Sequence, residues 1–382
     1  MDKKIRIVSF QNAHNFGAIL QAYGLQETIK SLGYNDVKFI NYYPEYLRLR
    51  YYPFQIKWLK PQNHSLSHLL GLYFGFPFFF ISCLKRYIAF KGSIKRLLNQ
   101  TDVIISSPDQ LEQIQIDILI CGSDQIWNTG LTGNFDEVFF ASKNYYKYNM
   151  AISYAASTEL SSLSQNKLET MAGLIQSFNY ISVREKPVKE ALSKYTNRNI
   201  DVCIDPTLLC GSESFDKIAS NRLIKDDYIL IYAYVPNDPL VNSIIKTIPD
   251  YKRFKIHIIL LGPKSWRNAF DTNVHSAISI EDFLSYIKYA SYVITNSFHG
   301  LAFSLLFKKN FNVTYVPGKD TRCHSLLAET HLLNRFVKDI ESANWDEVNY
   351  IEVDQVLDEI REKSRSYLLK SFKSYEDNSY NC

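Results

Sequence analysis

Hydrophobic positions along the chain change repeatedly between strand-like and helix-like spacing. Short apolar, β-branched runs predict strands, and apolar residues at intervals of three and four predict helices. Strands are predicted at 5–10, 37–41, 116–121, 150–155, 180–183 and 202–204, and helices at 17–32, 165–178 and 187–195. Strands that alternate with helices in this way predict a parallel sheet covered on both faces.

The pattern restarts after residue 211. Strands are predicted at 228–235, 255–261, 293–295 and 312–316, and helices at 239–248, 279–290 and from His299 onwards. A chain of 382 residues is too long for one compact core. We therefore expect an N-terminal domain at 1–210, a C-terminal domain at 211–345, and a last helix at 346–382 that packs back over the first domain and ends in a frayed tail.

Residues 45–100 interrupt the alternation. The run 69–84 contains no charged residue, Pro77 lies inside it, and basic residues follow from Lys85. The run is short for a bilayer span, which needs ~20 apolar residues. The favoured interpretation is a buried helical hairpin beneath an inter-domain cleft, and the alternative is peripheral membrane contact through residues 69–96.

Composition excludes several classes of protein. A hydrophobic share of 46% and a charged share of 21% are ordinary for a globular protein. A net charge of +4 without a long Lys/Arg block argues against nucleic acid as a partner. The six cysteines are scattered and the start of the chain has no secretory signal, which predicts reduced thiols and a cytoplasmic location, with the inner membrane face as the site of any peripheral contact. No spacing predicts a metal ligand set.

Four polar loops follow predicted strands, where open α/β sheets bind ligands. In the first, Asn15 can cap a helix and Gly17 allows close approach to the backbone. In the second, Asp124 is either a general base or the cap of an Asx turn. In the third, Arg184 either binds a carboxylate or phosphate, or forms an ion pair with Glu185 or Asp205.

The fourth loop contains Ser297, Phe298, His299 and Gly300 at a turn from strand to helix. Ser297 is a suitable N-cap residue, and the free amides of a first helical turn attract anions. His299 can donate a hydrogen bond to such an anion or act as an acid or base. The alternative is an ordinary surface histidine in a first turn.

Six motifs in this order resemble the polysaccharide pyruvyl transferase family: Asn15-Phe16-Gly17-Ala18, Gly122-Ser123-Asp124-Gln125-Ile126-Trp127-Asn128, Ser153-Tyr154-Ala155-Ala156-Ser157, Ser182-Val183-Arg184-Glu185, Asp205-Pro206-Thr207-Leu208 and Thr295-Asn296-Ser297-Phe298-His299-Gly300. The likeness extends from about residue 5 to about 335 and is weak over 45–100. It implies an α/β fold with two Rossmann-like domains in a glycosyltransferase-B-like arrangement with a cleft between them. It also implies a bacterial transferase of exopolysaccharide or capsule biosynthesis that forms a pyruvate ketal on two sugar hydroxyls.

The resemblance also implies roles for individual residues. The donor would be phosphoenolpyruvate, a co-substrate, with no further cofactor and no metal, and the acceptor a sugar or lipid-linked oligosaccharide. Arg184 and His299 would be catalytic and donor-binding, and Asp124 is the candidate base. The chain has Ser297 where other branches have Arg, so Lys319 and Arg322 are the candidate replacement cations. The predicted donor site comprises Arg184, Ser297, Phe298, His299, Gly300, Lys319 and Arg322, and the predicted acceptor site comprises His14, Asn15, Gly17, Ser123, Asp124, Gln125 and Trp127.

Two other functions are compatible with the same residues. One is a nucleotide-sugar-dependent glycosyltransferase of the same two-domain plan. The other is a non-catalytic glycan-binding protein, which would have no turnover to lose when His299 or Arg184 is changed. A fold alone does not separate these functions.

Overall fold

Two parallel sheets organise the chain. The computed structural model describes residues 3–52, 66–264, 268, 270–316 and 321–379. The first sheet has six strands, which are β1 (Ile5–Val8), β2 (Val37–Phe39), β3 (Ile118–Asp124), β4 (Met150–Ala156), β5 (Tyr180–Val183) and β6 (Asp201–Val202). They lie in the order β2-β1-β3-β4-β5-β6.

The second sheet also has six parallel strands. These are β7 (Tyr228–Tyr232), β8 (Lys255–Ile259), β9 (Val274–His275), β10 (Tyr292–Thr295), β11 (Asn310–Thr314) and β12 (Phe336–Val337). Their order is β12-β11-β10-β7-β8-β9. Strands β9 and β12 have two residues each, and the hydrophobic pattern did not predict them.

Helices connect the strands and cover the sheets. They are α1 (Phe16–Ser31), α2 (Glu45–Tyr51), α3 (Leu66–Leu97), α4 (Thr129–Thr132), α5 (Gln165–Leu174), α6 (Lys186–Leu192), α7 (Pro206–Cys210), α8 (Ser212–Asp216), α9 (Pro239–Ile245), α10 (Ile280–Lys288), α11 (Phe298–Leu306), α12 (Thr321–Glu329) and α13 (Tyr350–Ser379). Two Rossmann-like domains in a glycosyltransferase-B-like arrangement were predicted, and this fold class is confirmed.

Local sequence explains where the helices near the site begin. The Asn15 side chain accepts hydrogen bonds from the Gly17 and Ala18 amides, which confirms the predicted cap of α1. Ser279 and Asp282 form a capping box at the start of α10. These caps fix the entry of each helix beside the carboxyl ends of the strands.

The two domains share a hydrophobic core at their junction. Phe16, in the first turn of α1, stacks on Phe283 of α10 with ring centroids 4.4 Å apart. The Phe16 ring also meets Tyr232 edge-on at the end of β7. Because aromatic contacts of this kind bury large areas, the start of α1 is held against the second domain.

The long C-terminal helix α13 returns to the first domain. The Tyr367 hydroxyl donates to the Ser153 carbonyl over 2.8 Å, and the Ser364 hydroxyl accepts from the Ile204 amide over 2.9 Å. Tyr34 and Phe372 pack ring against ring. This helix therefore supports β4 and the segment after β6, on which the site depends.

The buried helical hairpin predicted for the run 69–84 is not formed. Residues 66–97 form one continuous helix that contains Pro77, and Phe78, Ile81 and Leu84 are exposed on it. Its buried side chains include the polar residues Ser82 and Arg86. Within the described residues, no helix is long and apolar enough to cross a bilayer.

Candidate active site

His299 of the second domain lies directly on helix α1 of the first. A Cβ atom added to Gly17 would lie 2.0 Å from the His299 Nδ1 atom, so only glycine allows this approach. The sequence predicted that Gly17 admits a ligand or a neighbouring loop, and here the neighbour is the His299 ring. The contact joins two of the four predicted loops across the domain junction.

The His299 ring is buried and uncharged in its resting state. It is 6% exposed, and its Nε2 atom has no hydrogen-bond partner in the part of the chain that the structure describes. Burial lowers the pKa of His299, Arg184 and Arg322 add to this, and Asp205 and Asp124 oppose it. The nearest carboxylate oxygen is Oδ2 of Asp205, at 3.8 Å from Nε2.

The start of α11 offers free backbone amides beside this ring. Ser297 occupies the N-cap position, but its side chain makes no capping hydrogen bond. The Ser297 amide itself donates to the Thr295 hydroxyl. In the described residues the amides of Phe298 and His299 have no acceptor, and they carry the positive end of the helix dipole. The predicted anion-binding turn is therefore present, without the predicted side-chain cap.

Arg184 is held by acidic and polar side chains. Its guanidinium donates to Asp205 over 2.6 Å, to Glu185 over 2.9 Å and to the Ser157 hydroxyl over 2.9 Å. Burial opposes the charge, but Glu185 and Asp205 more than offset it and raise the pKa of Arg184 above its ordinary value. The ring of Phe298 lies 4.6 Å from the guanidinium carbon. Both ion pairs that the sequence offered as the alternative for Arg184 are present, and its contact with a donor stays a prediction.

Asp205 and Glu185 complete the cluster, and the sequence assigned neither a function. Asp205 is fully buried and accepts from Arg184 and from both the amide and the hydroxyl of Thr207. Although burial opposes it, the charge of Arg184 and the hydrogen bonds from Thr207 lower the pKa of Asp205, so its carboxylate is ionised at neutral pH. One feature of the sequence could have indicated Asp205. It lies directly after a predicted strand and before Pro206, where it caps α7.

Asp124 lies at the end of β3 with a left-handed backbone, at φ 76°. Its carboxylate accepts from the Gln125 amide over 2.8 Å. The Ile126 amide, which an Asx turn would bond to that carboxylate, donates to the Asp124 carbonyl instead, so the Asx turn predicted as the alternative is not formed. Its charge also acts on His299 and Arg184, raising the pKa of each. Asp124 therefore belongs electrostatically to the same site.

Each of the four polar loops contains a buried polar atom without a partner. Of the ten buried side-chain atoms that lack a partner among the described residues, five belong to these loops, which are His14 Nε2, Ser123 Oγ, Gln125 Nε2, Glu185 Oε2 and His299 Nε2. Buried polar groups are nearly always hydrogen-bonded, so each of these needs water or a ligand. Four of the five belong to residues that the sequence assigned to the site.

Trp127 is a correction to the predicted acceptor site. It is 1% exposed, stacks on Phe140, and donates its indole N–H to the Phe139 carbonyl over 3.0 Å. Because its ring is buried and its one donor is bonded inside the first domain, Trp127 is a core residue that orients the loop after β3. Lys319 lies outside the described residues.

Arg322, in α12, lines a small cavity with Arg184, Asp205 and Phe298. The cavity volume is about 30 Å³, roughly the space of one water molecule. In the described part of the chain Arg322 has no ion-pair or hydrogen-bond partner. Its guanidinium is therefore available to bind an anion at this cavity.

A larger concavity of about 1070 Å³ lies at the opposite edge of the first sheet, lined by Lys3, Lys4 and Lys147 among others. It contains none of the predicted site residues. No group of three or more His, Cys, Asp or Glu side chains in the described residues is placed to hold a metal ion.

Comparison with known proteins gives one family and a set of distant folds. A sequence model described as polysaccharide pyruvyl transferase matches residues 15–315. No curated protein matches the chain significantly.

Solved structures with a similar course of the chain include a putative UDP-N-acetylglucosamine 2-epimerase from Listeria monocytogenes, at 11% identity and a TM-score of 0.47 over 98% of this chain and 97% of that one. The UDP-N-acetylglucosamine 2-epimerase from Rickettsia bellii has 10% identity and a TM-score of 0.48 over 99% and 98%. The glycosyltransferase SnogD from Streptomyces nogalater has 12% identity and a TM-score of 0.35 over 100% and 99%. These likenesses are too distant to argue from, whereas the family match covers more than half of the chain. The chain belongs to the polysaccharide pyruvyl transferase family.

Proposed function

We propose that this protein transfers the pyruvyl group of phosphoenolpyruvate to two hydroxyls of a sugar, forming a pyruvate ketal and releasing phosphate. The observation that carries the proposal is His299 itself. Its ring is neutral at rest, its Nε2 has no partner among the described residues, and it lies beside free helix amides, where the carboxylates Asp205 and Asp124 favour its protonated form. An anion bound at those amides favours the protonated ring by direct attraction.

The reaction needs one proton donor and one proton acceptor. The π electrons of phosphoenolpyruvate take a proton at the methylene carbon, the first sugar oxygen bonds to the central carbon, and its proton passes to a base. The bond to phosphate then breaks, the second oxygen bonds to the same carbon, and its proton leaves with phosphate. Protonated His299 supplies the first proton and Asp124 accepts the hydroxyl proton.

The donor carries a phosphate and a carboxylate, and the site offers positive groups for both. The amides at the start of α11 and the Arg322 guanidinium are the unoccupied ones. Arg184 already makes three hydrogen bonds, so a direct contact with the donor exchanges one of them. Because the cavity beside Arg184 holds only about one water molecule, the cleft opens before the donor enters.

The acceptor side of the site is built from the first domain. Buried, unpartnered atoms of His14, Ser123 and Gln125 provide hydrogen-bonding groups for sugar hydroxyls. A site made of buried polar groups strongly disfavours a substrate that lacks the matching hydroxyls, because these groups would stay unpaired. We propose a sugar of a lipid-linked surface-polysaccharide precursor as acceptor.

The test is incubation of the purified protein with phosphoenolpyruvate and a panel of lipid-linked glycans. Release of phosphate together with a pyruvyl mass gain on one glycan is the expected result. Turnover of a nucleotide sugar without use of phosphoenolpyruvate would replace the proposal with a glycosyltransferase. Glycan binding without turnover of either donor would make the protein a glycan-binding protein.

A further inference from the structure

Helix α3 has its polar and apolar residues reversed between residues 78 and 88. The side chains of Ser82 and Arg86 face inward and are 8% and 6% exposed. On the outward face Phe78, Ile81, Leu84 and Ile88 are 41%, 48%, 38% and 60% exposed. A surface helix of a globular protein normally places its apolar stripe towards the core. This stretch does the opposite.

Polar contacts to both domains fix the inward face of α3. Ser82 shares a 3.1 Å hydrogen bond with the Ser276 hydroxyl, and Arg86 donates to the carbonyls of Ser276 and His14 over 2.6 Å and 3.0 Å. About two turns further on, Ser93 donates to Glu281 over 2.7 Å. Because turning the helix would break these buried bonds, the apolar face is held outward.

The exposed apolar surface continues onto the second domain. Phe270 is 82% exposed, and its ring meets that of Phe78 edge-on with centroids 5.3 Å apart. The two aromatic rings and the aliphatic residues of α3 therefore form one patch, which we call the α3 face (Phe78, Ile81, Leu84, Ile88 and Phe270).

The surrounding sequence is strongly basic. Residues 46–101 contain no Asp or Glu and nine basic residues, which are Arg48, Arg50, Lys57, Lys60, Lys85, Arg86, Lys91, Lys95 and Arg96. Since the whole chain has a net charge of +4, this segment at +9 leaves −5 for the rest. Lys85 is exposed on the α3 face itself, between Leu84 and Ile88. The excess positive charge of the chain thus lies in the same sequence segment as its exposed apolar helix face, although Arg86 points inward.

We propose that the α3 face is a docking site for an anionic lipid bilayer. Exposed aromatic and aliphatic side chains with adjacent basic residues are the composition of a helix that lies in the membrane interface. Basic residues add attraction to anionic headgroups. The helix lies along the membrane, and its inward polar bonds hold both domains above the surface. This binding goes beyond the proposed reaction and does not depend on it.

The test uses the full chain and two kinds of vesicle. One is phosphatidylcholine alone, and the other contains phosphatidylglycerol as well. We expect co-sedimentation with the anionic vesicles and little with the neutral ones. The combined variant Phe78→Ser, Ile81→Ser, Ile88→Ser should lose at least tenfold in partitioning, because the apolar area that enters the membrane is removed. Lys85→Gln should lose about fivefold, which corresponds to about 1 kcal/mol for one basic residue at the surface.

The matched control is Ile351→Ser on α13. Ile351 is 76% exposed and lies in a different helix, so partitioning should not change. Unchanged thermal unfolding of the triple variant shows that the fold is intact. Undiminished partitioning of that variant, or equal binding to neutral vesicles, would overturn the proposal. The proposal would also be overturned if light scattering showed a wild-type dimer that the triple substitution abolishes while lipid binding stays unchanged. The α3 face would then bind a second copy of the chain.

Discussion

Two buried histidines lie on either side of the first turn of α1, and only one of them, His299, has carboxylates that act on its pKa. His14 precedes the helix and stacks between Tyr51 and Phe90. His299 comes from the second domain and rests on Gly17. Each is 6% exposed, and each has an Nε2 atom without a partner among the described residues.

Burial acts in the same direction on both rings, but neighbouring charge does not. Around His14 burial is reinforced by Arg86 and Lys91, and the pKa falls to about 3. Around His299 burial is opposed by Asp205 and Asp124, although Arg184 and Arg322 add to the lowering. His14 is therefore a permanently neutral group that can only orient a ligand, whereas His299 can gain a proton when an anion binds beside it. Nearby carboxylates distinguish an acid from an inert buried ring.

The largest effect that this comparison predicts is on turnover. In the His299→Gln variant a hydrogen-bonding group of similar length remains but cannot titrate. We expect phosphoenolpyruvate to bind within a modest factor of wild type while kcat falls by ~10²–10⁴, the usual loss for a general acid or base. Wild-type kcat should fall as pH rises through the pKa of His299 in the donor complex, and the variant should lack this limb.

His14→Gln is the matched control for that experiment. It removes the other buried ring and should leave the pH limb of kcat in place, whatever its effect on the acceptor KM. If His299→Gln turns over at a near-normal rate with a normal pH profile, the ring is structural and the acid must be sought at Asp124.

The second prediction concerns the substitution of Arg184, the cation that holds the carboxylates of Asp205 and Glu185 in place. Arg184→Ala leaves Asp205 and Glu185 buried without their counter-ion, and breaking a buried pair costs about 3–5 kcal/mol of unfolding free energy. If Arg184 also binds the donor, as the sequence predicts, losing a charged hydrogen bond adds about 1.5–3 kcal/mol to the free energy of donor binding, seen in KM. Urea unfolding and donor kinetics measure the two effects.

Arg222→Ala provides the comparison for this loss. Arg222 pairs with Asp227 at the surface, with side chains 41% and 66% exposed, and such a pair contributes about 0–1 kcal/mol. Equal stability of the Arg184 and Arg222 variants would show that the buried cluster is not coupled to folding. An unchanged donor KM in Arg184→Ala would take Arg184 out of the donor site.

The third prediction tests the contact between the domains. Gly17→Ala places a methyl group on the His299 ring, which must shift, and overpacking of this kind costs about 1–3 kcal/mol. We expect kcat to fall with it, because the ring leaves its position against α1 and near Asp205. Gly173→Ala in α5 meets nothing within 4 Å and should be neutral or slightly stabilising. Normal turnover in Gly17→Ala would mean that the ring position is not critical.

The sequence predicted the frame of this site because its residues follow strands. Strand β5 was placed correctly at its ends, and His14, Asp124, Arg184 and His299 all follow strands that were predicted. The side-chain partners could not be predicted in the same way. Asp205 reaches Arg184 because β6 lies next to β5 in the sheet, and periodicity along the chain carries no information about which strands are neighbours.

Two errors have a related cause. The hydrophobic pattern assumes that apolar residues face inward, so it favoured a buried hairpin where α3 turns Ser82 and Arg86 inward and Ile88 outward. Trp127 was assigned to the site from its place in a polar loop, yet its side chain fills the core beside Phe140. Strands of two residues, such as β9, are too short to show any alternation.

The smallest predicted effect isolates His14 through the pH dependence of folding. The folded pKa is about 3 and the unfolded pKa is about 6.5, so between these values only the unfolded state holds the proton. Stability therefore falls as pH falls through this window, by about 1.4 kcal/mol from His14 alone at pH 5.5. His14→Phe keeps an aromatic ring between Tyr51 and Phe90 but cannot titrate. Between pH 7.5 and pH 5.5 its free energy of unfolding, measured in urea, should therefore fall by about 1.4 kcal/mol less than that of wild type. The exposed His324→Phe variant controls for the removal of an imidazole. An equal loss in wild type and His14→Phe would show that His14 can take up a proton in the folded state, and the contrast between the two histidines would then disappear.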